Sequence, residues 1–593
     1  MNAGPDRSGP GPATGAQPAE TGRPARAVPS AAKTEIVPLL PARVKWRTRL
    51  RQRRSCPNVA CEAGSSSIGL VFIATSASIT RAHARMPFPE MGPPRSPLQR
   101  RPAIDRVAGC LWGLALLAGL GACDRNPTGL DDPCDLPEVA FPARATGAIA
   151  ITNTNLISMD GRAGVERRRT ILVRNGIIEA IGDAVSLTPP ADATVIDGSC
   201  RYVMPGLADM HVHLVYASEP LLYVANGVTT VREMWGSTGH ISYRNRVNSG
   251  ELIGPWMIIG SPGMDGVASW PRAVVITNPA KADTLVAQLA RDQFDFVKVY
   301  ESLSGEVYDA IAVAAAKRGV PIAGHVGTGV GLDRALASGQ RSIEHMASAF
   351  LPEVRPAGNT AGWWDSPFDD AKARTLAQRI AQSGVWVTPT LATLRAMLTT
   401  AEEVAFHNQP ESRYLAPALL ADWVARGPWG SPAIRDAAIT NESRMTRILF
   451  EAGAHLLVGS DAGFTYVLPG FAIHDEMEML VAAGLDPADV LLAATHGAAE
   501  FLQKTHEFGA VRTGLRADLL LLDRNPLHDI ANADLRAGVM TAGRWYSRTE
   551  LQRLLDANAT APEQGDRNAL IPTRDFLSHL ETPFSGPSAD HRH

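Results

Sequence analysis

Aromatic residues are scarce in this chain, and its net charge is slightly negative. They make up 6% of the 593 residues, and the formal charge is −3. The first 106 residues hold 17 Lys and Arg against 6 Asp and Glu, a surplus of 11, so the rest of the chain carries −14. An acidic surface with few stacking side chains repels a phosphate backbone. We therefore expect no nucleic acid partner.

Motifs of three common enzyme classes are missing. The chain has neither the Walker A sequence that cradles nucleotide phosphates nor the Gly-x-Ser-x-Gly turn of many serine hydrolases. The glycine-rich segment at residues 327–331 lacks the third glycine of the dinucleotide-binding fingerprint. These absences argue against a P-loop nucleotidase, an α/β-hydrolase and a Rossmann dehydrogenase.

Cysteine is also rare, and one of the six ends a segment with the features of a secretion signal. Two arginines at residues 100–101 precede an apolar run at residues 107–120, and the sequence Leu-Gly-Ala-Cys follows, ending at Cys123. This order is similar to a bacterial lipoprotein signal, whose cysteine is lipidated and becomes the mature N-terminus. The resemblance implies an exported protein that is lipid-anchored to a bacterial membrane and faces the periplasm. The sequence does not decide between the inner and the outer membrane. A buried apolar stretch is the alternative.

The segments around this signal have no clear fold. Residues 1–85 are rich in Pro, Arg, Gly and Ser. We interpret residues 1–106 as an extension that is disordered or results from a start codon assigned too early, together with the charged start of the signal. Residues 107–123 are the predicted signal, and residues 124–144 are a predicted tether. In an oxidising compartment Cys134 and Cys200 can form a disulfide, but the sequence does not fix their proximity.

The rest of the chain predicts an α/β fold, a (β/α)8 TIM barrel with a small β-sandwich domain. Short apolar strands occur in residues 145–203 and again in 506–550, which predicts one small β domain built from both segments. Residues 204–505 are the predicted barrel and residues 551–593 a C-terminal tail. Within the barrel, short apolar segments alternate with helical stretches. The eight predicted strands are residues 206–213, 227–232, 256–260, 296–300, 321–325, 341–345, 385–389 and 455–461.

Metal-ligand residue types stand at the carboxyl ends of five of these strands. His211 and His213 are separated by one residue, so both imidazoles project to the same side of their strand. A His-x-His pair alone is more often structural than metal-binding. Other candidates end four further strands, where a barrel places its functional residues. They are Lys298, His325, His345 and Asp461.

These motifs resemble the amidohydrolase superfamily over about residues 145–545. The first strand carries Pro-Gly-x-x-Asp-x-His-x-His, and the later strands carry Gly324-His325, Glu344-His345 and Gly-Ser-Asp-Ala-Gly around Asp461. The sequence Phe-Val-Lys-Val-Tyr around Lys298 resembles the branch of Xaa-Pro dipeptidases and imidazolonepropionase-like proteins, in which this lysine is carboxylated. A lysine among apolar residues favours the neutral amine that reacts with carbon dioxide.

The resemblance implies a two-metal site. His211, His213 and Asp461 would hold one Zn²⁺, His325 and His345 the other, and the carbamate of Lys298 both. A hydroxide shared by the metals would attack the substrate. Asp461 would be the catalytic residue, acting first as general base and then as general acid. The alternative for Lys298 is an ordinary lysine without a carbamate, in which case one metal would suffice.

We therefore predict a binuclear zinc amidohydrolase that cleaves a carbon–nitrogen bond in a small amide, dipeptide or cyclic amide. Xaa-Pro dipeptides are the first candidate substrates. A mononuclear deaminase or a lactonase on the same fold is one alternative. A catalytically silent, surface-anchored binding protein is another, and the complete ligand set argues against it. The sequence is also compatible with a homo-oligomer.

Three further predictions concern residues near the strand ends. Tyr300 lies two residues after Lys298 on the same strand face, which predicts contact with substrate. His474 follows the loop after the last strand, which predicts a place in the substrate pocket. Arg232 and Glu233 are expected to pair with each other.

Overall fold

A computed structural model describes residues 147–269, 273–356, 368–427 and 431–560 of the chain. The predicted extension, signal, lipidation site Cys123 and tether lie outside the described residues, as do positions 561–593 of the predicted tail. Cys200 forms a disulfide. All other cysteines, including Cys134, lie outside the described residues, so the pairing of Cys134 with Cys200 stays a prediction.

The described residues contain both strands and helices throughout. The strands are β1 (Ile149–Leu156), β2 (Glu166–Arg174), β3 (Ile177–Asp183), β4 (Thr194–Asp197), β5 (Tyr202–Pro205), β6 (Leu207–Val212), β7 (Val228–Glu233), β8 (Trp256–Ile259), β9 (Met264–Asp265), β10 (Val274–Val275), β11 (Val297–Val299), β12 (Ile322–Gly324), β13 (Ser342–Glu344), β14 (Trp386–Thr388), β15 (His455–Leu456), β16 (Leu519–Leu522), β17 (Arg536–Thr541) and β18 (Arg544–Ser547).

The helices cover the barrel strands and fill the longer connections. They are α1 (Glu219–Ala225), α2 (Thr238–Asn248), α3 (Ala282–Arg291), α4 (Gly305–Ala316), α5 (Leu332–Ala337), α6 (Ala347–Val354), α7 (Asp370–Ser383), α8 (Thr400–His407), α9 (Pro417–Arg426), α10 (Pro432–Glu451), α11 (Ala472–Ala482), α12 (Pro487–Leu492), α13 (Ala498–Phe501) and α14 (Arg548–Thr560). Among the described residues, no helix combines the length and the apolarity needed to cross a bilayer.

Eight parallel strands close into a barrel. β6, β7 and β8 pair in that order, and β11 to β15 pair in chain order. A parallel bridge between Gly260 and Phe296 joins β8 to β11, and a bridge between Val212 and Ala462 joins β6 to the segment after β15. Their side chains are mostly buried, as expected for parallel strands covered by helices. The predicted (β/α)8 barrel is confirmed.

The small β domain combines strands from before and after the barrel. Its sheet runs β18-β17-β16-β5-β1-β2-β3, and β4 pairs with β1. β16 lies antiparallel to β5, so the two segments that flank the barrel meet in one sheet. Only Gly206 separates β5 from β6, and a Cβ atom there would lie 2.2 Å from Oγ1 of Thr229. Glycine therefore allows the chain to pass from the small domain into the barrel against β7.

A helical insertion between β14 and β15 packs against the loop that follows β15. The insertion contains α8, α9 and α10. The shape of residues 390–440 could not be predicted from the sequence. The hydroxyl of Tyr466, in the loop, bonds to the carboxylate of Glu403 on α8 and, at 3.0 Å, to the carbonyl of Trp423 on α9. The rings of Tyr414 and Phe471 stack with centroids 6.2 Å apart. These contacts connect the insertion to the loop that carries Asp461.

Candidate metal centre

The end of β6 presents two histidines to the same region of the barrel. His211 is fully buried, and the side chain of His213 is 25% exposed. Their ring centroids are 5.3 Å apart. The shared direction expected for alternate residues of a strand is present.

The other candidate ligands surround this pair. Lys298 is the central residue of β11, whereas His325 and His345 follow directly after β12 and β13. The ring of His345 lies 4.8 Å from that of His211 and 4.7 Å from that of His325. Asp461 approaches the first pair, with Oδ1 2.9 Å from Nε2 of His213. All six residues, from five different segments of the barrel, therefore face one cluster.

Two of these ligands have a backbone conformation that side chains seldom adopt. The φ angle is 60° at His345 and 56° at Asp461. A left-handed conformation in a non-glycine residue costs free energy and is concentrated at functional sites. The neighbouring contacts hold Asp461 there, because its N–H donates to the carbonyl of His211 at 2.8 Å. Beside it, Ser460 donates from N and Oγ to the buried carboxyl of Asp209 at 2.9 and 2.5 Å.

Carboxylates fix the proton position of two imidazoles. Nδ1 of His211 lies 2.9 Å from Oε2 of Glu344, and Nδ1 of His325 lies 3.1 Å from Oε1 of Glu301. A carboxylate only accepts hydrogen bonds, so both Nδ1 atoms carry the proton. Burial lowers the pKa of His211 to about 4 and also lowers that of His325, so both rings are neutral near pH 7. Each neutral ring then has its lone pair on Nε2.

The hydroxyl of Thr390 fixes the proton position of His345 in the same way. Oγ1 of Thr390 donates its only proton to the carbonyl of Pro389 at 2.7 Å, so it must accept from Nδ1 of His345 at 2.6 Å. Burial holds the pKa of His345 well below its usual range. The lone pair of His345 is therefore also on Nε2.

At His211, His345 and Asp461 the cluster brings acceptor atoms close to one another. Nε2 of His211 is 3.3 Å from Oδ1 of Asp461, and Nε2 of His345 is 3.9 Å from Oδ2. One ligand atom each from His211, His345 and Asp461 lies within 4.8 Å of the others. Among the described residues, Nε2 of His211 is buried and lacks a hydrogen-bond partner. Lone pairs that face each other in a buried site require a cation, so this nitrogen and oxygen donor set fits a metal ion.

Lys298 is buried in the same region, and its amine has a lowered pKa. Its residue is 1% exposed, and Nζ has no hydrogen-bond partner among the described residues. Burial lowers the pKa of Lys298 to about 8, against the opposing charges of Glu344 and Asp461. A sizeable fraction of this amine is therefore neutral at pH 7 to 8, as carbamate formation requires.

Arg232 does not pair with Glu233, which corrects the prediction. Arg232 points into the barrel and donates to both carboxylate oxygens of Glu344 at 2.8 and 2.9 Å. Glu233 instead accepts from the backbone N–H groups of Leu214 at 2.6 Å and Trp235 at 2.8 Å. Glu233 lies at the end of β7 and holds the loop after His213.

Sequence reasoning missed Glu344 as a partner of His211. Ser342 and Glu344 are alternate residues of β13 and face the same side, with apolar Ile343 between them. Two polar side chains on one face of a fully buried strand were the available signal.

Tyr300 and His474 have different outcomes. The ring of Tyr300 lies 4.2 Å from that of His325 and 5.3 Å from that of Trp235, so Tyr300 borders the cluster, and its contact with substrate stays a prediction. His474 does not. Its Nε2 lies 3.0 Å from the carbonyl of Asn226, just before β7, and 2.9 Å from a nitrogen of Arg536 on β17. This is the amino-terminal end of the barrel strands, so the prediction for His474 is wrong.

Comparison with known proteins points to one family. A model of the amidohydrolase family matches residues 202–546, more than half of the chain. The curated relatives that this chain matches are covered over only about 15% of their own length. The imidazolonepropionase of Stenotrophomonas maltophilia is 42% identical over 67 residues, which are 11% of this chain and 16% of that protein.

Solved structures share the fold over most of their length. A bottromycin amidohydrolase is 26% identical with a TM-score of 0.56, covering 73% of this chain and 92% of that one. A Xaa-Pro dipeptidase solved with bound methionine is 22% identical with a TM-score of 0.50, covering 68% of this chain and 100% of that one. At that identity the second likeness shows the fold alone.

Proposed function

Because the chain belongs to the amidohydrolase family, we propose that it is a binuclear zinc hydrolase that cleaves a carbon–nitrogen bond. The substrate would be a small amide, dipeptide or cyclic amide, with Xaa-Pro dipeptides as the first to test. The observation that carries the proposal is that the Nε2 lone pairs of His211 and His345 face the carboxylate of Asp461 in a buried site.

The proposed ligands are those brought together by the barrel. His211, His213 and Asp461 would hold one zinc ion, and His325 and His345 the other. Lys298, carboxylated at Nζ, would contact both. When bound, the ions would supply a nucleophile at neutral pH and polarise the substrate carbonyl.

The chain's own groups would then move the proton. Although burial would raise the pKa of Asp461, the neighbouring imidazoles of His211, His213 and His345 hold it below its ordinary value, so its carboxylate is ionised. Asp461 would accept the proton of the attacking water and deliver it to the leaving nitrogen. The ring of Tyr300, beside His325, would position the substrate by a hydrogen bond from its hydroxyl.

The names of the relatives support the reaction class. Imidazolonepropionase and bottromycin amidohydrolase are names of enzymes, and the second names the hydrolysis of an amide. The second candidate is a mononuclear deaminase. The observation that favours it is that, among the described His, Cys, Asp and Glu residues, the group whose ligand atoms all lie within 4.8 Å of one another consists of His211, His345 and Asp461.

Hydrolysis of a defined panel tests the substrate proposal. We expect the purified protein, loaded with zinc and bicarbonate, to release proline from Xaa-Pro dipeptides, and to lose this activity on chelation and regain it with zinc. N-acyl amino acids and cyclic amides complete the panel for the wider class. Release of ammonia from amino-substituted rings, without cleavage of any amide, would favour the deaminase instead. No turnover in the zinc-loaded protein on any of these substrates would contradict both.

A further inference from the structure

A buried carboxylate beneath the cluster connects His211 to an arginine in the barrel interior. Glu344 and Arg232 are each at most 1% exposed. Nδ1–H of His211 donates to Oε2 of Glu344 at 2.9 Å. A terminal nitrogen of Arg232 donates to both carboxylate oxygens of Glu344.

We propose that Glu344, held by Arg232, is a positioning residue that keeps His211 in the tautomer whose Nε2 binds metal. The proposal rests on the proposed metal-dependent function. It adds to that function the pair of residues that decides whether the most buried imidazole of the cluster can act as a ligand.

Among the described residues, every hydrogen-bond partner of the Glu344 side chain donates to it. Besides Arg232 and His211, the hydroxyl of Ser342 donates to Oε1 at 2.5 Å. Both carboxylate oxygens are therefore engaged as acceptors, and His211 can only present an N–H to Glu344. The remaining lone pair of the ring is forced onto Nε2, the atom that lies 3.3 Å from Oδ1 of Asp461.

Arg232 is fixed from several sides, so it can hold the carboxylate in place. Its Nε donates to the carbonyl of Met210 at 2.5 Å, and a terminal nitrogen donates to the hydroxyl of Ser342 at 2.9 Å. The guanidinium group lies 5.7 Å from the ring centre of Phe296 and 5.0 Å from that of Phe501. A planar, fully bonded guanidinium of this kind is a rigid support for a carboxylate.

Stability alone does not account for this pair. Burying two charges costs solvation free energy, and apolar residues of similar volume often replace such a pair without loss. The hydrogen bond between Glu344 and His211 provides a functional explanation for the pair. Metal-binding histidines depend on an acceptor at the other ring nitrogen for their orientation.

Glu344→Gln tests the proposal, because the amide replaces two acceptor oxygens with one acceptor and one donor. Either Arg232 or His211 then faces an N–H group. We expect the zinc affinity of the protein, measured by competition with a chromophoric chelator, to fall by about 10- to 100-fold. Affinity is read without turnover, so the result does not depend on the substrate.

The matched control is Glu301→Gln, the same change at the acceptor of His325. The side chain of Glu301 is 38% exposed, so water can supply an acceptor in its place. We expect its zinc affinity to stay within about threefold of wild type, in contrast to the 10- to 100-fold loss typical when an outer partner is removed. Equal losses in the two variants would overturn the special role of Glu344, as would wild-type affinity in Glu344→Gln.

A second measurement covers the case in which Glu344→Gln fails to fold. Nitrogen-15 spectra of histidine-labelled, metal-free wild-type protein distinguish the two neutral tautomers, and His211→Gln assigns the resonance. We expect the Nδ1–H form at His211, and an Nε2–H form would overturn the inference. If instead the wild type shows this tautomer but binds no zinc, the proposed function fails while the predicted tautomer holds, so the two failures are distinguishable.

Discussion

Lys298→Met is expected to lower kcat/KM by at least about 10³-fold, because it removes the anion proposed to hold both ions. Metal ions supply several kcal/mol of transition-state stabilisation, and each 1.36 kcal/mol corresponds to a factor of about 10 in rate. Methionine has nearly the volume of lysine, so the core of the barrel stays filled. The activity of the variant against the best substrate of the panel, at saturating zinc, is the measurement.

The same variant separates a catalytic role of Lys298 from a structural one. Its Nζ has no hydrogen-bond partner among the described residues, so its loss should leave the melting temperature of the metal-free protein unchanged or raise it. In the wild type, reconstitution of metal-free protein with zinc and bicarbonate should be faster at pH 8.5 than at pH 6.5. The pKa of Lys298 is about 8, so the neutral amine predominates only at the higher pH. Activity near wild type in Lys298→Met would show that no carbamate is needed.

Asp461→Asn should lower kcat by about 10²- to 10⁴-fold, the usual contribution of a general base and acid. The amide keeps the size of the side chain and one oxygen that faces His213, but it cannot take a proton from the attacking water. We expect KM to change much less than kcat, since the loss falls on the proton-transfer step. Steady-state kinetics at saturating zinc, with zinc content measured alongside, test this.

Two results would contradict this role of Asp461. A rise in KM with an unchanged kcat would show that Asp461 acts in binding rather than in proton transfer. Loss of zinc from Asp461→Asn with full recovery of kcat at high zinc would show a ligand and no base.

The sequence predicted the barrel well because its signals are local. Each barrel strand is a short buried apolar run, and the ligand candidates end these runs, so the cluster follows from the closure of parallel strands. The last strand is the partial exception. Residues 455–461 were expected to be one strand, but β15 covers only His455–Leu456. The chain then turns into the left-handed conformation at Asp461, and its N–H bonds to the carbonyl of His211 rather than in a regular ladder.

The contacts of residues around the site could not be predicted because the partners are far apart in sequence. Glu344 contacts Arg232 across 112 positions, and His474 contacts Asn226 across 248. His474 was placed in the pocket only because it follows the loop after β15. It lies instead in the first turn of α11, with its Nε2 beside the carbonyl of Asn226 and Arg536 of the small β domain.

Zinc content per chain is the most direct test of the account. Plasma emission on the purified protein, loaded with zinc and bicarbonate and then freed of excess metal, should give about two zinc ions per chain, and fewer in Lys298→Met. One ion in both proteins would support the mononuclear deaminase. No bound zinc in the wild type would contradict the assignment of the cluster at His211, His345 and Asp461 as a metal centre.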